Sequence, residues 1–342
     1  MDKIFFDSDE EFAAFIPGEM VVSVKSIQPR INDVTSKYIK PLVGEDLIEE
    51  VIDAYAEEAA MSEEMTELYN HMCKAVAHLS MALSTPDLNV RAAVGGFGVS
   101  TGQDIAIASQ ERVRAYAESR AIDGQSAIDD LIDFLEKNSE TYTTYRDSDE
   151  RKQSKVNFVN SPIEFNRFVV PGINRWVFLQ IKPMMTLVED TIIKGTLCKE
   201  LYDHIKGIIK TNDPNVDGVP DFGVYAPLVP LIQNAVANLT LARTVDRIGL
   251  KVDTAVGVYQ SFYKNANEPQ QSKNVAGTDM SALAQQYRMD GERAMEQLKK
   301  ELLDNVSDYP LYEDSDCYNS PEENFTTNET DNEIPGAVFF GI

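Results

Sequence analysis

Apolar positions recur with helical spacing through most of the chain. Phe12 and Phe15 share one face of a short helix that Ser8 caps and Glu11 completes as a capping box; Ser161, Pro162 and Glu164 do the same for Phe165 and Phe168. A longer helix follows Pro29, with Ile31, Val34, Tyr38 and Ile39 as its apolar stripe, and Met185, Val188, Ile192 and Ile193 form the counterpart after Pro183. These helices are expected to break at residues 41–44 and at Gly195. Leu47, Ile48, Val51, Ile52 and Tyr55 predict the next helix, matched by Leu201, Ile205 and Ile208. An alanine-rich helix follows in each half. The period then changes: residues 88–99 and 103–108 read as short strands with Gly-rich turns, and residues 248–259 as their second copy. A long charged helix, over residues 110–137 and 279–304, closes each half.

The two halves are in register as sequence. Ser8-Asp-Glu-Glu-Phe-Ala-Ala-Phe-Ile-Pro-Gly18 recurs as Ser161-Pro-Ile-Glu-Phe-Asn-Arg-Phe-Val-Val-Pro-Gly172, with Val170 as one extra residue. Val34 then matches Val188, Leu47 matches Leu201, Ala75 matches Ala235, and Asp123-Gly124 matches Asp290-Gly291. Ordered matches over both halves predict an internal duplication. The expected organisation is a first helical-bundle repeat over residues 1–140, a polar linker over 141–159, a second repeat over 160–306 and an acidic tail over 307–342. The tail has nine acids and no Lys or Arg, carries three prolines and ends in an apolar stretch, so it reads as extended. The fold class is therefore mainly α: two tandem repeats of a small helical bundle, each with an inserted β-hairpin, plus that tail.

Composition narrows the function. In 342 residues, 31 Lys and Arg stand against 56 Asp and Glu, a net charge of −25, which argues against a protein that coats nucleic acid. The longest uncharged run, residues 222–242, holds Pro227, Pro230, Gln233, Asn234 and Asn238 and reads as a buried helix, not a membrane span. The acidic start, residues 1–10, argues against a signal peptide. Three cysteines (Cys73, Cys198, Cys317) without a C-x-x-C pair predict neither a disulfide framework nor a zinc site.

Catalytic and ligand-binding chemistry is sparse. His71 and His78 share a helix face near Cys73, but no metal-ligand spacing is present, and Asn238 stands at the place of His78 in the second half. Asp213-Pro-Asn-Val-Asp-Gly218 begins like a calcium loop, yet Val224 occupies the twelfth position where a bidentate Glu is required. Residues 94–102 are Gly-rich without the Lys-Ser/Thr of a phosphate loop. No G-x-S-x-G or H-E-x-x-H occurs. The expectation is a protein built for contacts, not an enzyme, with no cofactor and no metal.

The pattern Ser-x-x-Glu-Phe-x-x-Phe, then Pro-Gly, then Tyr38-Ile-Lys-Pro-Leu-Val-Gly-Glu-Asp-Leu47, with Pro86-Asp-Leu-Asn-Val90 and a Gly-containing hairpin, resembles a duplicated family of structural proteins from phages and prophages of Bacteroidetes, including crAss-like phages. Residues 38–47 also look like the helix-turn-helix of phage head–tail connector (adaptor) proteins. The second half departs from that pattern, with Gly195-Thr-Leu-Cys in place of Pro41-Leu-Val-Gly. The resemblance implies a virion protein, made in the bacterial cytoplasm, that forms a homo-oligomeric ring below the portal. It implies contacts with the portal and other neck or tail proteins, DNA only as a passing, non-specific cargo, and no membrane. Other neck, tail or cargo roles, or a host-directed binding module, are the alternatives. The expected contact elements are the hairpins, with Val94, Phe97, Ile105 and Ile107 in the first and Val252, Val258 and Tyr259 in the second, and the apolar end with Val338, Phe339, Phe340 and Ile342.

Overall fold

The computed structural model describes residues 5–16, 22–56, 61–88, 91–93, 96–98, 109–170, 172–212, 220–245, 250–253, 257–260, 273–315 and 317–318. Within them the chain is mainly helical. Short helix α1 (Asp9–Ala14) starts at Ser8, whose Oγ accepts the Glu11 amide at 3.1 Å, while Glu11 Oε2 accepts the Asp7 amide at 2.8 Å. Helix α2 (Val24–Val34) begins before Pro29, not after it, because Asp9 Oδ1 accepts the Val24 amide at 2.7 Å and fixes an earlier start. A π turn (Thr35–Ile39) leads into α3 (Lys40–Val43), and Lys40 N donates to Thr35 O, five residues back. Gly44, at φ +87°, breaks the chain before α4 (Glu45–Ala56). Helix α5 (Glu63–Leu88) and helix α6 (Gln110–Lys137) then run side by side, separated in sequence by strands β1 (Arg91–Ala93) and β2 (Gly96–Gly98). The strands pair antiparallel with Ala92 opposite Phe97. Both lie inside residues 88–99, and residues 103–108, the other stretch expected to hold strand, fall outside the described residues.

Residues 141–159, expected as a polar linker, contain α7 (Thr143–Arg146) and α8 (Asp149–Ser154). They pack because Tyr145 and Arg151 are buried, which a reading of the charge run alone misses. In the second half the elements run α9 (Pro162–Phe165), α10 (Arg175–Val188), a π turn (Glu189–Ile193), α11 (Lys194–Thr211), a 3-10 turn (Gly223–Tyr225), α12 (Leu228–Thr244), strands β3 (Leu250–Asp253) and β4 (Gly257–Gln260), and α13 (Lys273–Asp304). β3 and β4 pair antiparallel with Val252 opposite Val258 and Lys251 opposite Tyr259. The break expected at Gly195 lies instead at Cys198, a non-glycine residue at φ +66° that aligns with Gly44. The position of the break is thus common to both halves, and a glycine is not what sets it.

Each half has its own core. Phe12, Ile31, Val34, Ile39, Leu68 and Leu131 belong to the first; Phe165, Ile181, Val188, Ile193, Leu228 and Leu298 belong to the second. Gly124 of α6 rides on Leu79 of α5, and Gly291 of α13 rides on Leu239 of α12, with near-identical spacing. No described helix is long and apolar enough to cross a membrane.

The acidic segment does not begin as an extended tail. Tyr309 and Tyr312, the latter in α14 (Pro310–Glu313), are buried against the second core, and Tyr309 Oη donates to Glu301 Oε1 at 2.8 Å. Aromatic burial overrides the local acidity there. Cys317 is disulfide-bonded to Cys198 across 119 residues, where no disulfide framework was expected. Nothing local in sequence signals the pairing, because it depends on the chain folding back. Cys73 is free and buried. Thiol titration of the unreduced, denatured chain should therefore find one thiol, and reduction should raise the count to three; three thiols without reductant would remove the bridge.

Candidate functional site

The halves meet where the start of α10 docks on α6. Arg175 N donates to Asp129 Oδ1 at 3.0 Å, Arg175 Nη2 pairs with Asp133 Oδ1 at 2.6 Å, and Asn174 Nδ2 donates to Gln125 Oε1 at 2.6 Å. Trp176 lies on Tyr38, ring centres 4.7 Å apart, and joins the first core from the second half. The connecting helices lock onto the same place. Glu136 of α6 accepts Tyr145 Oη at 2.8 Å, Arg151 Nη2 at 2.9 Å and Lys155 Nζ at 2.9 Å. Farther along, Glu189 opens the second π turn and is fully buried. Its Oε2 pairs with Lys206 Nζ at 2.5 Å, and its Oε1 accepts the Phe158 amide at 2.7 Å.

Between these two anchor points a cleft of about 520 Å³ opens. The first half and the connector supply Leu42, Ile132, Glu136 and Lys155; the second half supplies Glu164, Lys182, Ile209, Phe222, Val229 and Gln233. A second depression, about 740 Å³, is lined by Arg146, Arg151, Lys152, Lys155 and Lys210, a concentration of cations in an acidic chain. Part of that charge is already engaged: Arg146 pairs with Asp147 at 2.9 Å, and Lys152 Nζ donates to the Asp147 carbonyl at 2.7 Å.

The titratable groups at this junction are shifted by identifiable causes. Burial would raise the Glu136 carboxyl, but hydrogen bonds and charge from Arg151 and Lys155 outweigh it and hold the group at about 2. Burial pushes Asp129 up to about 6, and Arg175 offsets this only in part. Burial lowers the Lys182 ammonium to about 8, against the attraction of Glu189. The signs follow from proton linkage. Glu136 contributes stability that is present above its unfolded pKa near 4.5 and lost as pH falls towards 2. Asp129 works the opposite way: its contribution is present below 3.8 and lost as pH rises through 6. Lys182 makes stability rise as pH climbs from 8 to 10.5. Urea unfolding between pH 5 and 2.5 should show an acid loss to which Glu136 contributes on the order of 2–3 kcal/mol. Glu136→Gln should shallow that loss, and an unchanged acid slope would contradict the assignment.

The residues singled out from sequence fall elsewhere. Phe97 lies in β2, Val252 in β3, and Val258 and Tyr259 in β4. Val94, Ile105, Ile107, Val338, Phe339, Phe340 and Ile342 lie outside the described residues, as does the loop over 213–218. His71 stacks on Phe134 with ring centres 4.6 Å apart. His78 is buried beside Arg120, its Nδ1 3.4 Å from Arg120 Nη1; burial and that guanidinium lower its pKa. Among the described residues no group of three or more His, Cys, Asp or Glu side chains could hold a metal ion. Sequence reading missed the cleft and its anchors. The available signal was the Arg/Lys cluster over 146–155, which sequence alone places in a polar linker.

Comparison with known proteins gives one family. A model described as a family of unknown function (DUF6712) matches residues 39–155 and 193–322. No curated protein and no solved structure matches the chain.

Proposed function

The chain belongs to the family of unknown function DUF6712, and from that starting point we propose that it is a structural virion protein, a head–tail connector or ring subunit below the portal. The observation that carries the reading is the recurrence of one helical scaffold in a chain of net charge −25: π turn, break at Gly44 or Cys198, and a paired long-helix unit in each half. On this reading the halves are tandem repeats of a small helical bundle, and the two strand pairs are arms inserted between the paired helices. A repeated scaffold offers the same kind of face twice, which suits assembly more than turnover. A strongly acidic wall repels duplex DNA and lets it pass without sticking. The phage resemblance of residues 38–47 and the shared Ser-x-x-Glu-Phe-x-x-Phe pattern supports the same role. The chain acts without a cofactor and not as an enzyme, and the strand pairs and the apolar end at residues 338–342 are its contacts with neighbouring subunits, the portal and other neck proteins.

Quantitative mass spectrometry of purified particles from a producing culture tests this. The expected result is a fixed, small copy number per particle, comparable to the portal. Recovery only from the infected-cell lysate would overturn it in favour of a host-directed binding protein. Deleting residues 334–342 should lower incorporation into particles; normal incorporation of that truncation would remove the tail from the contact set.

A further inference from the structure

The first half contains a carboxylate served by two phenols. Tyr55 Oη donates to Glu11 at 2.9 Å (Oε1) and 2.8 Å (Oε2), and Tyr69 Oη lies 2.8 Å from Oε1 and also contacts the Phe5 carbonyl. The two rings stack, 4.5 Å between centres and 11° between planes. Burial pushes both hydroxyls above their ordinary range, so each keeps its proton and donates it.

The second half keeps the carboxylate and the frame around it but lacks the phenols. Glu164 occupies the place of Glu11 and makes the same cap: its amide donates to Ser161 Oγ at 3.1 Å and its Oε2 accepts the Asn160 amide at 2.8 Å. Gln233 occupies the place of Cys73. Its Nε2 donates to the Phe158 carbonyl at 2.9 Å, as Cys73 Sγ approaches the Phe5 carbonyl at 3.8 Å. The alignment is fixed independently by the Gly124–Leu79 and Gly291–Leu239 contacts. At the positions of Tyr55 and Tyr69 stand Ile209 and Val229. All five equivalents, Phe158, Glu164, Ile209, Val229 and Gln233 among them with no aromatic hydroxyl, line the cleft of about 520 Å³. Phe222 and Ile163 extend its apolar wall.

We propose that this cleft is a binding site for a phenol group, supplied by a tyrosine side chain of another polypeptide, whose ring covers Ile209 and Val229 and whose hydroxyl donates to Glu164. The first half displays the same chemistry satisfied from within. In the second half the acceptor and the apolar floor are present, and the donor comes from outside. Apolar walls with a few convergent polar groups are what such a pocket requires. A hydroxyl donating to a carboxylate is among the stronger neutral-to-charged hydrogen bonds. The proposal does not depend on the virion reading.

The test uses the full chain, titrated with p-cresol, toluene and N-acetyl-tyrosinamide, and followed by NMR shifts and calorimetry. p-Cresol and the capped tyrosine should bind one per chain with Kd on the order of 1 mM or tighter. Toluene, without the hydroxyl, should bind about tenfold more weakly or less well still. Glu164→Gln should bring p-cresol towards the toluene level. Ile209→Tyr with Val229→Tyr should abolish binding by filling the site; if that double variant does not fold, Glu164→Gln carries the test alone. Equal binding of toluene and p-cresol would reduce the cleft to an apolar hole and overturn the proposal. So would p-cresol affinity unchanged in Glu164→Gln, or the absence of binding. Binding of p-cresol without the capped tyrosine would assign the site to free phenols and overturn the polypeptide source.

Discussion

Lys206→Met is expected to lower the unfolding free energy by about 3–5 kcal/mol, because it strands a buried carboxylate. Glu189 has no exposed surface and Lys206 retains 8%. Lys206 Nζ bonds both Glu189 Oε2 and the Val156 carbonyl at 2.5 Å and lies 4.8 Å from the centre of the Phe158 ring. Burial pushes the Glu189 carboxyl up and the Lys206 ammonium down, and the attraction of each for the other opposes both shifts. Removing the lysine leaves the carboxylate with the hydrogen bonds of the Phe158 amide and Asn157 Nδ2, at 2.7 and 3.1 Å, and the more distant attraction of Lys182. The first half shows an uncharged alternative at the aligned positions, Thr35 and Ile52, where the Thr35 hydroxyl donates to the Ile31 carbonyl at 2.9 Å. Glu189→Thr combined with Lys206→Ile should therefore recover most of the loss, to within about 2 kcal/mol of the parent. Chemical denaturation of Lys206→Ile, Glu189→Thr and their combination measures this as a cycle, with Lys206→Met as the stranded-carboxylate variant. A loss below about 1 kcal/mol for Lys206→Met would mean that the pair is not desolvated as described.

The second large effect concerns the helix crossings. A Cβ added at Gly124 would lie 2.6 Å from Leu79 Cδ2 and 3.1 Å from the Leu79 amide nitrogen; at Gly291 the distances to Leu239 are 2.7 and 3.1 Å. The leucine side chain can turn away, but the backbone nitrogen cannot, so the paired helices must separate. Gly124→Ala and Gly291→Ala should each cost about 1–3 kcal/mol net, even though alanine gains up to about 1 kcal/mol in helix propensity. Valine should cost more. Gly195 and Gly207 are the controls, since a Cβ there meets nothing within 4 Å. Alanine at either should be neutral or stabilising by up to about 1 kcal/mol. Thermal unfolding of the four variants separates the classes, and equal effects at crossing and control positions would refute the close-approach argument.

What could be read from sequence divides along physical lines. Local periodicity was sufficient for the helices: Phe12, Val34, Leu47 and Leu131 have their places in the core because their spacing allowed no other face. Ser8 and Ser161 announce the first helix of each half through short-range caps. Most of the failures are long-range. The Cys198–Cys317 bridge, the docking of Tyr309 and the burial of Arg151 on Glu136 depend on segments that meet only after folding. The break at Cys198 was missed for a different reason, since positive φ is expected at glycine, and here a cysteine adopts it while nearby Gly195 does not. The cleft was legible in principle. It required comparing the halves for what one lacks, Tyr55 and Tyr69, and not only for what they share.

The π turns carry a history. Each holds one residue more per turn than an α-helix, and such a bulge arises most simply from a one-residue insertion into an existing helix. Thr35–Ile39 and Glu189–Ile193 occupy the same aligned place. On the duplication reading, the insertion happened once, in an ancestor half as long, before the gene was copied. On the same reading, the exchange of glycine and cysteine at 44 and 198, and of tyrosines for aliphatic residues at 209 and 229, came after the copying. The shared distortion would then be the inheritance, and the unshared side chains would record where the two copies were put to different use.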